Sequence, residues 1–500
     1  MKLFAKGLFL LSALGSSVIY AQTQPALPIN FQHVVVIVQE NRTPDNLFRG
    51  LCAQTGVTCN ATPPITTSQY DIQTSGWLTM GGTINPTAIP LANTYDLSHQ
   101  HPAWVTECDL DPATGKCKMD GAAGVPCNPL AVCQTVTNPQ FKYVDYSGGI
   151  LTPYFTLAKS YGWANFMFQT NQGPSFPAHQ FIFGGTSAPS SAEDAAGTFA
   201  SENMTKGTGT GAGCVATEGR LVQLIDSTGT EDPNNQVYPC FEHETVADLP
   251  VITQSGTTPP PITWRYYAPG PGSIWTAPNA IIHICGPDGK GNCLGAGWLD
   301  NVDPNNPADF LNDISGKIVN GQQQCLLKQV TWIIPTAGNS DHAKINNGGG
   351  PSWVASLVNA IGTSPCTNPD GSSYWDTTAI FITWDDWGGW YDHEVPTILA
   401  PPQGGYQLGF RVPLIVVSAY TSAGLINNGR HDFGSIIRFV ELNFGYKPGE
   451  LGFADHRAST DLTEFFNLSI ANKRKFTPIP GGQSAATFLA QPVAGPDDDD

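Results

Sequence analysis

The chain has 500 residues, 41% of them hydrophobic and only 13% charged, which is enough to bury a sizeable core in one large domain or a few ordinary ones. Its formal net charge of −18 argues against nucleic acid or an anionic membrane surface as an electrostatic partner. The same charge makes any phosphate-bearing substrate depend on a local cation.

In chain order, residues 1–21 read as a signal peptide. Lys2 and Lys6 precede an apolar run from Leu8 to Tyr20, and Ile19-Tyr20-Ala21 is an acceptable cleavage site. The run falls short of the roughly 20 residues a membrane span needs, so an uncleaved anchor is the weaker reading, and no later segment looks transmembrane. Twelve cysteines, an even count, suit an oxidising compartment, secreted or periplasmic. Several stand in short-range pairs: Cys52/Cys59, Cys108/Cys117, Cys127/Cys133 and Cys285/Cys293, leaving Cys214/Cys240 and Cys325/Cys366. Spacing does not fix connectivity. The absence of any CxxC pair argues against a zinc–cysteine site.

The apolar run at 33–38 breaks off into Glu40 and Asn41, an acid and an amide at a strand end, where open α/β folds build their sites. Segments 52–140 and 186–310 are rich in Cys, Gly, Pro and Thr and poor in periodicity, so they read as disulfide-pinned insertions capping one edge of a sheet. A helix is expected at 152–161. The stretch NQGPSFPAHQFIFGG at 171–185 sets Ser175 just ahead of Pro177, which favours a helix start. A serine there is either an N-cap or a nucleophile beside backbone N–H groups that suit a phosphoryl oxyanion, and spacing alone favours the cap. No GxSxG elbow surrounds it.

Runs at 330–334, 379–383 and 412–418, like that at 33–38, are too uniformly apolar for one-sided antiparallel strands and predict the buried core of a parallel sheet. Helices at 353–361 and 434–443 complete an alternation that predicts a doubly wound α/β fold. No internal repeat is present, and 497–500 reads as a solvated acidic tail.

The strand at 379–383 ends in Asp385–Asp386, adjacent carboxylates that repel unless a cation neutralises them. Alone they fit a solvated acidic turn; joined with Glu40 and Asn41 they fit a hard-oxygen cage for a divalent metal. Gly388 and Gly389 are expected to supply turn geometry rather than phosphate contacts. Asp392 and His393 are expected to lock that turn. Trp384, Trp387, Trp390 and Tyr391 are either core or the walls of an approach for a choline or acyl group.

The segments ENRTPD at 40–45, GPSFP at 173–177 and TWDDWGGWYDHEVP at 383–396 resemble the bacterial phosphoesterase family that contains non-haemolytic phospholipases C and AcpA-type acid phosphatases. YDLSH at 95–99, SDHA at 340–343, RVPLIVVSAY at 411–420 and HDFGSIIRFVELNFG at 431–445 extend the resemblance in the family's order across most of the chain. The resemblance implies an alkaline-phosphatase-like α/β/α sandwich with a mostly parallel central sheet and disulfide-pinned loop insertions. A single phosphoesterase domain at 22–490 would precede an acidic tail at 491–500. It implies a divalent cation (calcium, magnesium, manganese or zinc) held by Glu40, Asn41, Asp385 and Asp386, with Ser175 as nucleophile. His99 and His342 would protonate the leaving oxygen or hold the phosphoryl group.

Many family members carry Glu at the second position of the carboxylate pair and Thr at the nucleophile, where this chain has Asp386 and Ser175. The family's Asn-Arg after the nucleophile's proline is replaced by Ala178-His179. The implied activity is hydrolysis of a phosphoester, either a small phosphomonoester or a phospholipid headgroup, through a phosphoserine. The alternative is a non-catalytic secreted protein with the same fold and a structural calcium. A sulfatase is disfavoured by the absence of a Cys-x-Pro-x-Arg segment, and a phosphomutase by secretion. His283 is a weak further site candidate, while His33, His243 and His456 read as structural.

Overall fold

All seven residues of His33–Gln39 are buried, and a strand with no exposed face needs partners on both flanks and cover on both sides. The computed structural model describes residues 31–205, 209–249, 261–399 and 407–496; the expected signal peptide and the acidic run at 497–500 lie outside these. An eight-stranded sheet organises the chain. Its strands are β1 (His33–Gln39), β2 (Gly162–Met167), β3 (Trp264–Tyr267), β4 (Val302–Asp303), β5 (Val330–Ile333), β6 (Thr378–Trp384), β7 (Leu414–Val417) and β8 (Leu425–His431), in the order β4-β3-β5-β1-β6-β7-β2-β8. Every neighbouring pair is parallel except the two made by β7, which runs against both β6 and β2.

The strand at 412–418 is therefore buried, as expected, but not parallel. Uniform apolarity reports cover on both faces and carries no information on direction, and among the described residues between β6 and β7 there is no crossover helix. Segment 186–310 likewise does more than cap the sheet, because β3 and β4 within it extend the sheet beyond β5. Both strands are short, and β3 (WRYY) mixes an arginine among aromatics, so neither carries a clear two-residue period.

The helices used below are α1 (Pro44–Leu47), α2 (His101–Cys108), α3 (Thr152–Ser160), α4 (Ser175–Gly184), α5 (Gly350–Thr363) and α6 (Phe433–Phe444). The register assigns them to faces. Trp332 of β5 lies level with Val36 and Phe381, and on this face Trp332 meets Phe183 of α4 while Phe381 meets Phe439 of α6. Trp384, three residues beyond Phe381, points the other way and meets Tyr154 of α3, against which α5 packs. The result is an α/β/α sandwich, with α4 and α6 on one side and α3 and α5 on the other. All six cysteine pairs named above are disulfides. Among the described residues, no helix is long and apolar enough to cross a membrane.

One buried guanidinium pins the long turn between β6 and β7. Arg411 meets Asp392 in a two-pronged contact (2.7 and 3.0 Å), Asp71 Oδ2 at 2.9 Å and the Asn165 carbonyl of β2 at 2.8 Å. His393 bridges Asp45 of α1 (2.8 Å) and Asp71 (3.1 Å). Asp392 and His393 thus lock the turn, as the sequence suggested. Although Asp45, Asp392 and His393 are close enough to hold a metal ion, Arg411 already supplies the cation there. Burial alone would push the His393 imidazole down, but Asp45 and Asp71 outweigh it and hold it up to about 10, against 6.5 ordinarily. The folded state keeps this proton longer than the unfolded chain, so its contribution to stability is complete below pH 6.5 and is lost as pH rises through about 10. In urea unfolding, the stability advantage of wild type over His393→Gln is expected to be widest at or below pH 6.5 and to close towards pH 10; a constant gap would contradict this proton linkage.

Candidate active site

Parallel pairing of β1 with β6 matches Gln39 to Trp384, so the next residues, Glu40 and Asp385, leave the same edge of the sheet side by side. The ladder continues one step further, the Asp385 N–H donating to the Gln39 carbonyl at 3.0 Å. Asn41 then turns the chain with φ +62°, in the left-handed region that asparagine tolerates better than most residues. That twist aims its N–H at Asp385 Oδ1 (3.0 Å). β2 and β5 run the same way as β1 and deliver the segments carrying Ser175 and His342 to this edge. The site therefore sits at the carboxyl ends of four co-directional strands.

Ser175 is the first residue of α4, and Pro174, not Ser175, occupies the cap position. The N-cap reading therefore fails: the Ser175 hydroxyl leaves the helix end and donates to Asp386 Oδ2 at 3.2 Å. Asp386 Oδ1 meanwhile accepts the Gly388 N–H at 2.7 Å. The side chain of Gln169 joins the two segments, accepting from the Trp387 N–H (3.0 Å) and donating to the carbonyls of Asn171 and Gly173 ahead of Ser175. Glu107 of α2 takes the Trp387 indole N–H at 2.9 Å, and burial pushes its carboxyl well above the ordinary range.

His99 and His342 are both brought to this edge, their rings 5.8 Å apart. His99 accepts the Asn41 amide N–H at Nε2 (3.1 Å), which puts its own proton on Nδ1, toward the Leu97 carbonyl at 2.9 Å. This bond turns the Asn41 carbonyl oxygen the other way. His342 donates from Nδ1 to the Ala343 carbonyl at 2.7 Å, and Asp96 Oδ2 lies 3.9 Å from the same nitrogen.

The residue missed from sequence is His179. It stands one helical turn after Ser175, and its Nε2 lies 3.4 Å from Glu40 Oε2 and 3.7 Å from Asp385 Oδ2. The i, i+4 spacing from Ser175 was the available signal. Glu40, His179 and Asp385 each offer one atom within 4.8 Å of the others, a grouping able to hold a metal ion. Two oxygens beside them, Asn41 Oδ1 and Asp385 Oδ2, are buried without a hydrogen-bond partner among the described residues. Buried oxygens left in that state are costly unless a cation takes them up, so the donor set fits a divalent metal.

The other candidates lie elsewhere. His283 pairs at the surface with Asp248 and Glu242, which hold it up to about 9. Trp384, Trp387, Trp390 and Tyr391 are fully buried, so they are core and do not wall an approach. His33 is tied to the Lys328 carbonyl and Asn368, and His243 to the Glu244 carbonyl, both structural as expected.

The Phosphoesterase family model matches residues 31–447. A non-hemolytic phospholipase C from Pseudomonas aeruginosa is 26% identical over 197 residues, 34% of this chain and 28% of that protein. Phospholipase C B from Mycobacterium tuberculosis is 22% identical over 479 residues, 88% of this chain and 78% of that protein. The match thus spans little more than a quarter of the Pseudomonas relative and most of the mycobacterial one. Among solved structures, a protein in the alkaline phosphatase superfamily from Vibrio parahaemolyticus is similar at 12% identity and a TM-score of 0.31, covering 66% of this chain and 68% of that one.

Gly388 and Gly389 have φ of +64° and +70°; a Cβ on the first would stand 2.4 Å from the Asn41 carbonyl, and on the second 2.5 Å from Leu97 Cβ. The turn can press against Glu40-Asn41 and the 95–99 loop because both side chains are missing. Gly388→Ala is expected to lower stability by more than the roughly 1–2 kcal/mol of left-handed backbone alone. Gly371→Ala, at φ +84° with nothing within 4 Å, should show only that backbone part. Equal losses in urea unfolding would contradict the close approach at Gly388.

Proposed function

The chain belongs to the phosphoesterase family, and from that premise we propose that it is a metal-dependent hydrolase of phosphoric esters acting by a phospholipase C-type reaction. One observation carries the reading: the Ser175 hydroxyl is hydrogen-bonded to Asp386 inside the same buried cluster that gathers Glu40, Asn41, Asp385 and His179. A binding module has no need of a hydroxyl aimed at a carboxylate there.

Glu40, Asn41 and Asp385 would hold the cation, which when bound neutralises the carboxylates and a nonbridging phosphoryl oxygen and lowers the hydroxyl pKa. Asp386, expected as a fourth ligand, has one oxygen on the Gly388 N–H and the other on Ser175, so we assign it as the proton acceptor. Ser175 Oγ attacks phosphorus in line, its proton passes to Asp386 Oδ2, and the bond from phosphorus to the leaving oxygen breaks. A protonated His342 donates to that oxygen, and water then cleaves the phosphoserine with the proton transfers reversed. The positive end of α4 faces the transferred phosphoryl group. His99 fixes the Asn41 amide and is assigned to positioning rather than proton transfer.

The names of the relatives favour a phospholipid as substrate. A small phosphomonoester is the second reading, favoured by the complete burial of Ser175. The disulfides support maturation outside a reducing cytosol, and the stretch 1–21 is proposed as the leader. With purified protein, Ser175→Ala is expected to lower turnover by about a thousandfold or more while the variant still folds, as circular dichroism checks. The assay uses p-nitrophenylphosphorylcholine beside p-nitrophenyl phosphate, each with and without EDTA. Preference for the choline diester supports the phospholipase reading and turnover of the monoester alone the second. Undiminished turnover in Ser175→Ala removes the nucleophile assignment. No turnover of either ester, with EDTA lowering only the melting temperature, moves the calcium-stapled module to the front.

A further inference from the structure

All ten residues of α4 are buried, and apart from Ser175, His179 and Gln180 its sequence SFPAHQFIFG is apolar or glycine. An imidazole carried into such an environment needs a compensating partner. The same ring nitrogen of His179 is directed at both Glu40 and Asp385. One nitrogen and two carboxylate oxygens, all within 4.8 Å of one another, make the layout of a ligand set rather than of a single ion pair.

We propose that His179 is a direct ligand of the cation, and that its nitrogen turns an otherwise all-oxygen site into one preferring zinc, or another late first-row divalent metal, over calcium or magnesium. The inference rests on the metal reading of this site given above. The distances argue against magnesium, and the nitrogen donor argues against calcium. Metal bonds of roughly 2.0–2.2 Å in tetrahedral array set neighbouring donors roughly 3.3–3.6 Å apart, whereas octahedral magnesium sets them roughly 2.9 Å apart. The observed separations from His179 Nε2 are 3.4 and 3.7 Å. Imidazole suits zinc, copper, iron and nickel, while calcium and magnesium take oxygen.

The test uses the full-length protein stripped of metal with a chelator and titrated separately with zinc, cobalt(II), magnesium and calcium by calorimetry. Wild type is expected to bind zinc about 100-fold or more tightly than calcium. His179→Gln is expected to lower zinc affinity by about 10- to 100-fold, to change the ligand-field absorption of the cobalt protein, and to leave calcium affinity within about twofold. Circular dichroism and melting confirm that the variant is folded. If it is not, X-ray absorption of zinc-loaded wild type decides, since imidazole scattering is expected and an all-oxygen shell overturns the assignment. Unchanged zinc affinity and an unchanged cobalt spectrum in folded His179→Gln also overturn it. If zinc and calcium bind equally while Ser175-dependent turnover persists, only the His179 assignment falls. If no divalent ion binds, the metal reading falls with it.

Discussion

Glu40, Asp385 and Asp386 are buried at the ends of two adjacent parallel strands, where the register leaves them no room to separate. Removing one carboxylate from water is expensive, and placing three together multiplies the repulsion unless positive charge or donated hydrogen bonds compensate. The Asn41 N–H serves Asp385, while the Gly388 N–H and the Ser175 hydroxyl serve Asp386. His179 approaches Glu40 and Asp385. The unusual backbone of the region serves the same end: the left-handed Asn41 and the two glycines of the turn allow the strand ends to close on one another.

A second group of acids a short distance along the chain faces the same problem with a different solution. Asp45, Asp71 and Asp392 surround Arg411, whose fixed fork satisfies them from within. Arg42, next to the carboxylates of the site, instead sends its guanidinium to the carbonyls of Asp341 and Leu91, to Asn46 and over the face of Trp390. One acidic cluster is thus closed by an internal cation and serves as scaffold. The other keeps two buried oxygens, Asn41 Oδ1 and Asp385 Oδ2, without a hydrogen-bond partner among the described residues, which leaves it able to take up a cation.

Much of this was legible in the amino-acid sequence because strand ends are. Runs such as HVVVIVQ cannot be solvated, and the acids immediately after them must emerge at a sheet edge. What was not legible depends on contacts far apart in sequence. The direction of β7 is set by the path of the turn before it, not by its own residues. β3 and β4 are too short to display a period. Ser175 looked like a cap because local rules favour one, yet a carboxylate 211 residues away holds its hydroxyl instead. His179 was visible as a departure from a family motif and by its i, i+4 spacing from Ser175, and its meaning appeared once the helix set it beside Glu40. For the indoles around Asp385 and Asp386 the sequence left core and approach wall both open, and their complete burial decides for the core.

The central claim is that Ser175 attacks phosphorus and is later released by water. The steric course at phosphorus tests it most directly, using an ester made chiral with oxygen isotopes and turned over by wild-type protein. Two successive in-line displacements predict net retention of configuration. Net inversion would mean that water attacks the ester in a single step, and would contradict the role given to Ser175.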